Sequence, residues 1–369
     1  MRATRAALTA VSVAVMCAVM AVPAIGQSVV PGTITEFPVP ANSQPVGIVQ
    51  GPDGAMWVTA NDADRVFRMT SDGQVANTFP SSGDALNQPN FITVGPDGNL
   101  WLTEDDDQDT GGNAIARLTP SGVSTVFPLP TNQSAPQGIV LGPDGRLWFA
   151  EIGGNRIGSI DPSAPNPGAT IQEYNLASGA GPFGITVGSD GLIWFTEQSA
   201  QAIGHLDPTA ANVQASLVEV ALPAGQSNPS GIVPGPDGKL WFTLLNSARI
   251  GTITTGGAVD GFDLPQPGPV EPNGITAGPD GALWFVLAQP AAIGRITTTG
   301  AITSTELPVP TSDPFVINPG PASTLWFTEI ALGGNGDRVG RISDIPIPTP
   351  APIPPPRPEP VGGAPTFTG

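Results

Sequence analysis

The stretch GPDGRLWFA at residues 142–150 decides the fold, because the same pattern occurs seven times along the chain. The copies are GPDGAMWVT (51–59), GPDGNLWLT (95–103), GPDGRLWFA (142–150), GSDGLIWFT (188–196), GPDGKLWFT (235–243), GPDGALWFV (278–286) and the degenerate GPASTLWFT (320–328). All seven tryptophans lie in these copies, 42 to 47 residues apart. Self-similarity at this period is typical of repeat folds.

Each copy predicts four short strands. An apolar run headed by proline, such as PQGIVLG at 136–142, precedes an Asp-Gly pair that favours a tight hairpin turn. The aromatic LWFT strand follows, then a third strand such as NRIGSI at 155–160, and a fourth such as VSTVFPLP at 123–130. Four antiparallel strands in about 45 residues indicate a propeller blade, so we predict an all-β, seven-bladed β-propeller.

The order of the strands predicts how the ring closes. A fourth strand, TITEFPVP at 33–40, precedes the first tryptophan. The last tryptophan is followed by a third strand, DRVGRIS at 337–343, and by no fourth. The N-terminal strand should therefore complete the last blade, which joins the two ends of the domain and removes an exposed edge.

Composition excludes several classes of protein. The 369 residues include 47 Gly and 44 Pro, too many for a helical bundle or a doubly wound α/β enzyme, whereas 40% hydrophobic residues support a packed core. With 13 basic against 31 acidic residues, the net charge of −18 disfavours nucleic acid and anionic membranes as partners. One His and one Cys leave no basis for a zinc site or a Ser-His-Asp triad.

The two ends of the chain predict export and a spacer. Residues 1–26 combine Arg2 and Arg5 with an apolar run and a small-residue cleavage site, which indicates a secretory signal peptide. Residues 27–344 form the propeller, and residues 345–369, with ten prolines, form an extended or disordered tail. We expect a secreted or periplasmic monomer with no membrane association after signal cleavage. Its stability must come from packing, since Cys17 leaves with the signal.

The repeat unit resembles the streptogramin lyase family, also called the virginiamycin B lyase family. The matching segments include PQGIVLGPDGRLWFAE at 136–151, PFGITVGSDGLIWFTE at 182–197 and EPNGITAGPDGALWF at 271–285, and the likeness covers residues 33–343. More distantly, the chain is similar to NHL-repeat and gluconolactonase-like propellers. The resemblance implies a propeller that opens a cyclic depsipeptide by elimination across its ester bond. It also implies a His base and a Mg²⁺ ion held by carboxylates.

The family's functional groups are mostly replaced in this chain. The resemblance places a His at x of P-x-G-I, a Glu before that proline, and a second Glu at the end of W-F-x-E. Glu271 is present, but x is Asn273 and the strand ends in Leu287. In the preceding repeat x is Ser230. The seven x residues are Val46, Asn90, Gln137, Phe183, Ser230, Asn273 and Phe315. None is His, so we expect that the family's mechanism does not operate unchanged.

Two sets of residues remain as candidate sites. The ligand-binding candidates lie at x positions near a central funnel, where amides and aromatic rings suit an uncharged or cationic polar ligand or only cap the channel with water. They are Asn90, Gln137, Phe183, Ser230, Asn273 and Phe315. The metal candidates, for Mg²⁺ or Ca²⁺, are carboxylates at strand ends that are otherwise solvated or locally paired. They are Glu271, Glu104, Glu151 and Glu197. His205 is predicted to be a solvated residue of a third strand, with a relocated catalytic base as the alternative.

Three functions stay open from the sequence. The first is a secreted, non-catalytic propeller that binds a small ligand or a peptide at its funnel face. The second is an active lyase with a rearranged metal site. The third is a divalent-metal lactone hydrolase, which Asn90, Asn273 and Glu271 would serve.

Overall fold

The computed structural model describes residues 30–105, 113–177, 179–265, 270–331 and 337–347. The predicted signal peptide and all but the first three residues of the predicted tail lie outside the described residues. Within the described ranges the secondary structure consists of β-strands and four short 3-10 helices, and none of the helices is long and apolar enough to cross a membrane. The 3-10 helices are Asn61–Ala63, Pro167–Thr170, Gln214–Ser216 and Pro321–Ser323.

The strands form seven antiparallel sheets of four, each a blade, as predicted. Blade 1 contains β2 (Pro45–Gln50), β3 (Met56–Ala60), β4 (Arg65–Met69) and β5 (Val75–Phe79). Blade 2 contains β7 (Pro89–Val94), β8 (Leu100–Glu104), β9 (Ala114–Leu118) and β10 (Val123–Pro128), with the short β6 (Ser82–Gly83) parallel to β10. Blade 3 contains β11 (Pro136–Leu141), β12 (Leu147–Glu151), β13 (Arg156–Ile160) and β14 (Gln172–Asn175). Blade 4 contains β15 (Pro182–Val187), β16 (Ile193–Glu197), β17 (Ala202–Leu206) and β18 (Val218–Ala221).

The last three blades repeat the arrangement. Blade 5 contains β19 (Pro229–Pro234), β20 (Leu240–Leu244), β21 (Arg249–Ile253) and β22 (Val259–Asp263). Blade 6 contains β23 (Pro272–Ala277), β24 (Leu283–Leu287), β25 (Ala292–Ile296) and β26 (Ile302–Glu306). Blade 7 contains β27 (Ser312–Gly320), β28 (Thr324–Ala331), β29 (Arg338–Ser343) and β1 (Thr33–Pro38).

The proline-headed first strands form the inner ring. Each contacts the first strand of the next blade, and β27 of blade 7 contacts β2 of blade 1, which closes the circle. In every blade the register with the second strand shifts between the proline and the isoleucine of P-x-G-I. This bulge sets the x residue at the centre of the propeller, because it interrupts the regular alternation of faces.

The tryptophans anchor the blades to one another. All seven are fully buried, and each packs with the core of the next blade, as Trp148 does with Ile193 and Phe195. The aspartate of GPDG accepts a hydrogen bond from the indole four residues later, for example from Trp148 Nε1 to Asp144 Oδ1 at 3.0 Å. A Cβ atom on Gly142 would lie 2.6 Å from Trp148 Cδ1, so this position requires glycine. The motif therefore provides both the tight turn and the hydrogen-bond acceptor for the indole.

The threonine of L-W-F-T links neighbouring blades. In blade 7, Thr328 Oγ1 donates to the carbonyl of Val46 in blade 1 at 2.9 Å and accepts from the N–H of Val316 at 3.2 Å. Thr196 and Thr243 donate in the same way to the carbonyls of the next blade at 2.8 and 2.6 Å. These bonds fix the inner strands, which carry the candidate ligand-binding residues.

The predicted closure of the ring is confirmed. Strand β1 pairs antiparallel with β29, with Thr33 opposite Ser343 and Pro38 opposite Arg338. Beside this seam the buried Asp337 accepts hydrogen bonds from the N–H groups of Ser43 and Gln44 at 2.7 and 3.1 Å. The two ends of the domain are therefore held together by strand pairing and by the hydrogen bonds of the Asp337 carboxylate, without a disulfide.

Candidate functional site

The x positions meet at the centre of the ring. Asn90, Gln137, Phe183 and Ser230 are buried, with at most 9% of each exposed, while Asn273 and Phe315 are half-buried. Each lies at the bulge of an inner strand, so the topology brings all six to the funnel region predicted from the sequence. Their contacts place Asn90 and Gln137 in a polar group on blades 2 and 3, and Phe183 and Phe315 in an aromatic group that reaches across the ring.

The polar group is a short hydrogen-bonded array. Asn90 Nδ2 donates to Gln137 Oε1 at 2.9 Å, and Gln137 Nε2 donates to Asp105 Oδ2 at 2.9 Å. Asp105 follows the end of β8 and fixes the orientation of the Gln137 amide. Sequence reasoning found the two amides but did not identify Asp105 as their partner.

The aromatic group spans the central channel. The rings of Phe183 and Phe315 are 6.4 Å apart between centroids, although they belong to blades 4 and 7. Phe91 of blade 2 lies 5.6 Å from Phe183 and 6.2 Å from Phe315. Three blades from different sides of the ring therefore meet at one apolar cluster. The sequence did not indicate Phe91 as a site residue, because it occupies the glycine position of P-x-G-I and the candidates were chosen from the x positions alone.

Glu271 has an acidic neighbour on the next blade. It precedes the first residue of β23, and Asp313 occupies the equivalent position, before Pro314, in β27. Burial and the charge of Glu271 raise the pKa of Asp313 to about 6. The Oδ1 atom of Asp313 is buried without a hydrogen bond. The two carboxyl groups thus lie close enough to repel each other across neighbouring blades, a pairing that the sequence alone did not indicate.

The residues present do not fit the Mg²⁺ site that the resemblance implies. Of its carboxylates only Glu271 remains, because the end of the blade 6 tryptophan strand is the buried Leu287. No group of three or more His, Cys, Asp or Glu side chains with metal-binding geometry occurs within the described ranges. The residues of blade 6 therefore do not support metal-dependent chemistry at this place.

The predicted metal ligands Glu104, Glu151 and Glu197 are buried, each within its own blade. Each ends a tryptophan strand and is at most 1% exposed. Burial and, to a smaller extent, neighbouring acidic groups raise the pKa of all three to about 8. Glu329 occupies the same position in blade 7, and burial raises its pKa to about 7. These carboxyl groups are therefore not solvated, and both oxygens of Glu151 and Oε1 of Glu197 are buried without a hydrogen-bond partner.

His205 supports the tryptophan of its blade. It lies opposite Trp194 in the β16–β17 ladder, and the two rings are 4.3 Å apart. Five of the other blades stack a Phe or Tyr of the outermost strand on their tryptophan, as Tyr174 does on Trp148. The outermost strand of blade 4 carries Val220 there instead. His205 is thus half-buried rather than solvated, and it lies on a third strand, away from the inner ring.

Comparisons with known proteins agree with this architecture. The sequence matches the virginiamycin B lyase family over residues 6–177 and 165–366. A streptogramin B lyase structure is 31% identical to this chain. The match covers 85% of this chain and 97% of the lyase chain, with a TM-score of 0.71. A catalytically inactive His-to-Ala variant of virginiamycin B lyase from Staphylococcus aureus, with quinupristin, is 32% identical, covers 84% of this chain and 98% of its own, and has a TM-score of 0.71.

More distant structures share the fold alone. The extracellular domain of a putative hybrid two-component system from B. thetaiotaomicron is 14% identical and covers 86% of this chain and 43% of its own, with a TM-score of 0.65. Among curated proteins no match was found. The family match spans most of the chain and the two lyase structures exceed 30% identity, so this seven-bladed propeller belongs to the virginiamycin B lyase family.

Proposed function

We propose that this chain is a secreted, virginiamycin B lyase-like propeller that binds a small ligand or a peptide at its funnel face and does not carry out the family's elimination. One observation carries the proposal. The positions where the family resemblance requires a His hold Ser230 and Asn273, and the single His of the chain, His205, stacks on Trp194.

The missing base matters because of the chemistry of elimination. A base must remove a proton next to the bond that breaks, the ester C–O bond then cleaves, and the carboxylate leaves as a new C=C bond forms. Neither a serine hydroxyl nor an amide accepts a proton readily at neutral pH. Ser230 and Asn273 can therefore hydrogen-bond to a ligand but cannot replace the imidazole.

The remaining funnel residues are suited to binding. The cluster of Phe91, Phe183 and Phe315 offers an apolar floor, and the Asn90–Gln137 array offers amide donors and acceptors beside it. Ligand sites in proteins commonly combine such an apolar surface with a few oriented polar groups. Glu271 and Asp313 add negative charge at the same region, which favours an uncharged or cationic ligand.

Quinupristin is the natural first probe, because it accompanies a relative that is 32% identical. Calorimetric titration should show saturable binding, and chromatography of the same mixture should show intact cyclic quinupristin after prolonged incubation. Phe183→Ala should weaken the binding, while the matched substitution Phe262→Ala on an outer strand should not. Ring opening by the purified protein would contradict the proposal, and so would an affinity that Phe183→Ala leaves unchanged.

A lyase with a different base is the second candidate, and the Asp313–Glu271 pair favours it. A carboxylate whose pKa is raised to about 6 can remove a proton more effectively than an ordinary aspartate. Ring opening that survives in the wild type but is lost in Asp313→Asn would support this candidate over the binder. The lactone hydrolase has no comparable support, because a putative 6-phosphogluconolactonase from Bacteroides fragilis is only 16% identical to this chain and shares the fold alone.

Export is part of the proposal. The basic residues and apolar run of residues 1–26 support a cleaved signal, and the acidic domain without mature cysteine fits an extracytoplasmic location. Mass spectrometry of the protein recovered from the culture medium or periplasm should find a new N-terminus near residue 27. Recovery of the intact chain from the cytoplasm would contradict it.

A further inference from the structure

Blades 3 and 7 share an arrangement of two glutamates around a glycine. In blade 3, Glu151 ends the second strand, and its Oε1 lies 2.6 Å from where a Cβ atom on Gly158 would be. Gly158 of the third strand pairs with Glu173 of the fourth strand. In blade 7, Gly340 pairs with both Phe327 and Glu36, and Glu329 is the last residue of the second strand that pairs with the third strand. In blade 3 the glycine leaves room for the buried carboxyl group to extend toward the outer strand.

An arginine accompanies both of these pairs. Arg156 lies opposite Glu151 in the ladder, and its Nε is 3.9 Å from Glu173 Oε2. In blade 7, Arg338 has the same position opposite Glu329, and its Nε is 3.8 Å from the outer-strand carboxylate. A guanidinium group therefore balances part of the negative charge at each pair.

Blade 4 has the same two glutamates without the arginine. Glu197 ends β16, its Oε1 lies 2.8 Å from a Cβ on Gly204, and Gly204 pairs with Glu219 of β18. The residue opposite Glu197 is Ala202, where the other two blades have arginine. Glu197 is 1% exposed and its Oε1 has no hydrogen bond. Glu219 acts on Glu197 through its charge and through a hydrogen bond between the two side chains, so the two carboxyl groups are in contact without the positive charge found in blades 3 and 7.

We propose that the Glu197–Glu219 pair of blade 4 binds a divalent cation of the calcium type, which takes the place of the missing guanidinium. The donors are oxygens only, and two carboxylates can provide up to four of them in the flexible geometry that Ca²⁺ accepts. Glu219 is exposed, so the site opens to solvent, and water can complete the coordination shell. Because only two carboxylates contribute, the site is consistent with the lack of three-ligand clusters in the described ranges.

The position of the pair is separate from the funnel. Glu219 lies on the outermost strand, and its Oε1 accepts a hydrogen bond from the N–H of Ala177 at 3.1 Å, in the segment that leads into blade 4. A cation held here joins the outer strand to the end of the tryptophan strand. It therefore stabilises blade 4 and is independent of the chemistry proposed for the funnel.

Terbium luminescence tests the site, because Trp194 lies three residues before Glu197 in β16 and can sensitise a lanthanide bound there. Titration of the full chain with Tb³⁺ should give saturable sensitised emission that Ca²⁺ displaces. Glu197→Gln and Glu219→Gln should each weaken Tb³⁺ binding about tenfold or more, since one ligand charge has an effect of this order on Ca²⁺ affinity. Ala202→Arg, which copies blades 3 and 7, should abolish it.

Glu151→Gln in blade 3 is the matched control and should leave the emission unchanged. Absence of sensitised emission from the wild type would overturn the proposal, and so would emission that persists unchanged in both glutamine variants. Infrared spectroscopy gives a further test, because a protonated carboxyl group has its own carbonyl band. Such a band at neutral pH with Ca²⁺ present, if Glu197→Gln removes it, would also overturn the proposal. A proton would then occupy the place of the cation. Glu219→Gln keeps the test valid if the buried variant is unstable, since Glu219 is exposed.

Discussion

Replacement of Glu151 by glutamine should change how the stability of the propeller depends on pH. Burial and the neighbouring Glu173 raise the pKa of Glu151 from 4.5 to about 8. In the unfolded chain the group ionises near its ordinary value, so between these two pH values the folded protein holds a proton that the unfolded chain has lost. The contribution of Glu151 is therefore fully present below about pH 4.5 and is lost as the pH rises to about 8.

The size of the effect follows from the proton linkage. One such group changes the free energy of unfolding by about 1.4 kcal/mol per pH unit, or about 5 kcal/mol over the whole interval. Glu104, Glu197 and Glu329 are shifted in the same direction. The four full contributions together would exceed the about 5–15 kcal/mol that stabilises a typical domain. Local rearrangement must relieve part of the cost at alkaline pH, so the slope per pH unit is the quantity to measure.

Urea unfolding followed by tryptophan fluorescence gives this slope, because all seven indoles are buried in the folded state. With a chelator present, the free energy of unfolding should fall from about pH 5 to about pH 8, and Glu151→Gln should reduce the slope by up to about 1.4 kcal/mol per pH unit. The control is Glu306→Gln, at an exposed position of an outer strand, which should have the wild-type slope. Equal slopes for wild type and Glu151→Gln would refute the reasoning.

Three further substitutions test the contacts that hold the ring, each by urea unfolding. Thr328→Val should lower the free energy of unfolding by about 2–4 kcal/mol, because it leaves the carbonyl of Val46 and a main-chain N–H unpaired. Asp337→Ala should cost about 2–4 kcal/mol, since the N–H groups at Ser43 and the next residue lose their acceptor at the seam. Asp144→Ala should cost about 1–3 kcal/mol by removing the indole acceptor. A loss below about 0.5 kcal/mol would contradict the assigned contact in each case.

The fold could be predicted because one local pattern contains several physical requirements at once. Gly142 makes space for an indole, Asp144 accepts its hydrogen bond, and Gly145 adopts a positive φ of 80° in the turn. Seven such copies fix the number of blades, and the order of strands around them fixes the closure through β1. These signals are local in sequence, so no knowledge of distant contacts is needed to interpret them.

The site was predicted only in part, because its contacts join strands that are far apart in sequence. The x positions lie on the inner ring of strands, but the meeting of Phe91 with Phe183 and Phe315 depends on which blades face each other. The pairing of Glu197 with Glu219 depends on the strand register across Gly204. The fourth strands of blades 3, 4 and 7 each carry a glutamate opposite the glycine of the third strand. A comparison of these strands could have indicated the three glutamate pairs. The sequence reading compared the tryptophan strands alone.

The packing at the end of the blade 6 tryptophan strand bears on whether this chain could carry out the family's chemistry. Its tryptophan strand ends in Val286 and Leu287, which are 0% and 1% exposed and lie in two different apolar clusters. A glutamate in place of Leu287 would put a carboxylate into that core, where an unpaired charge is costly. Changing Asn273 to His alone would restore a base without the second carboxylate that accompanies Glu271 in the family pattern. The position that carries the second carboxylate in the family pattern is part of the apolar core in this chain, which supports the proposal that the funnel holds a ligand without cleaving it.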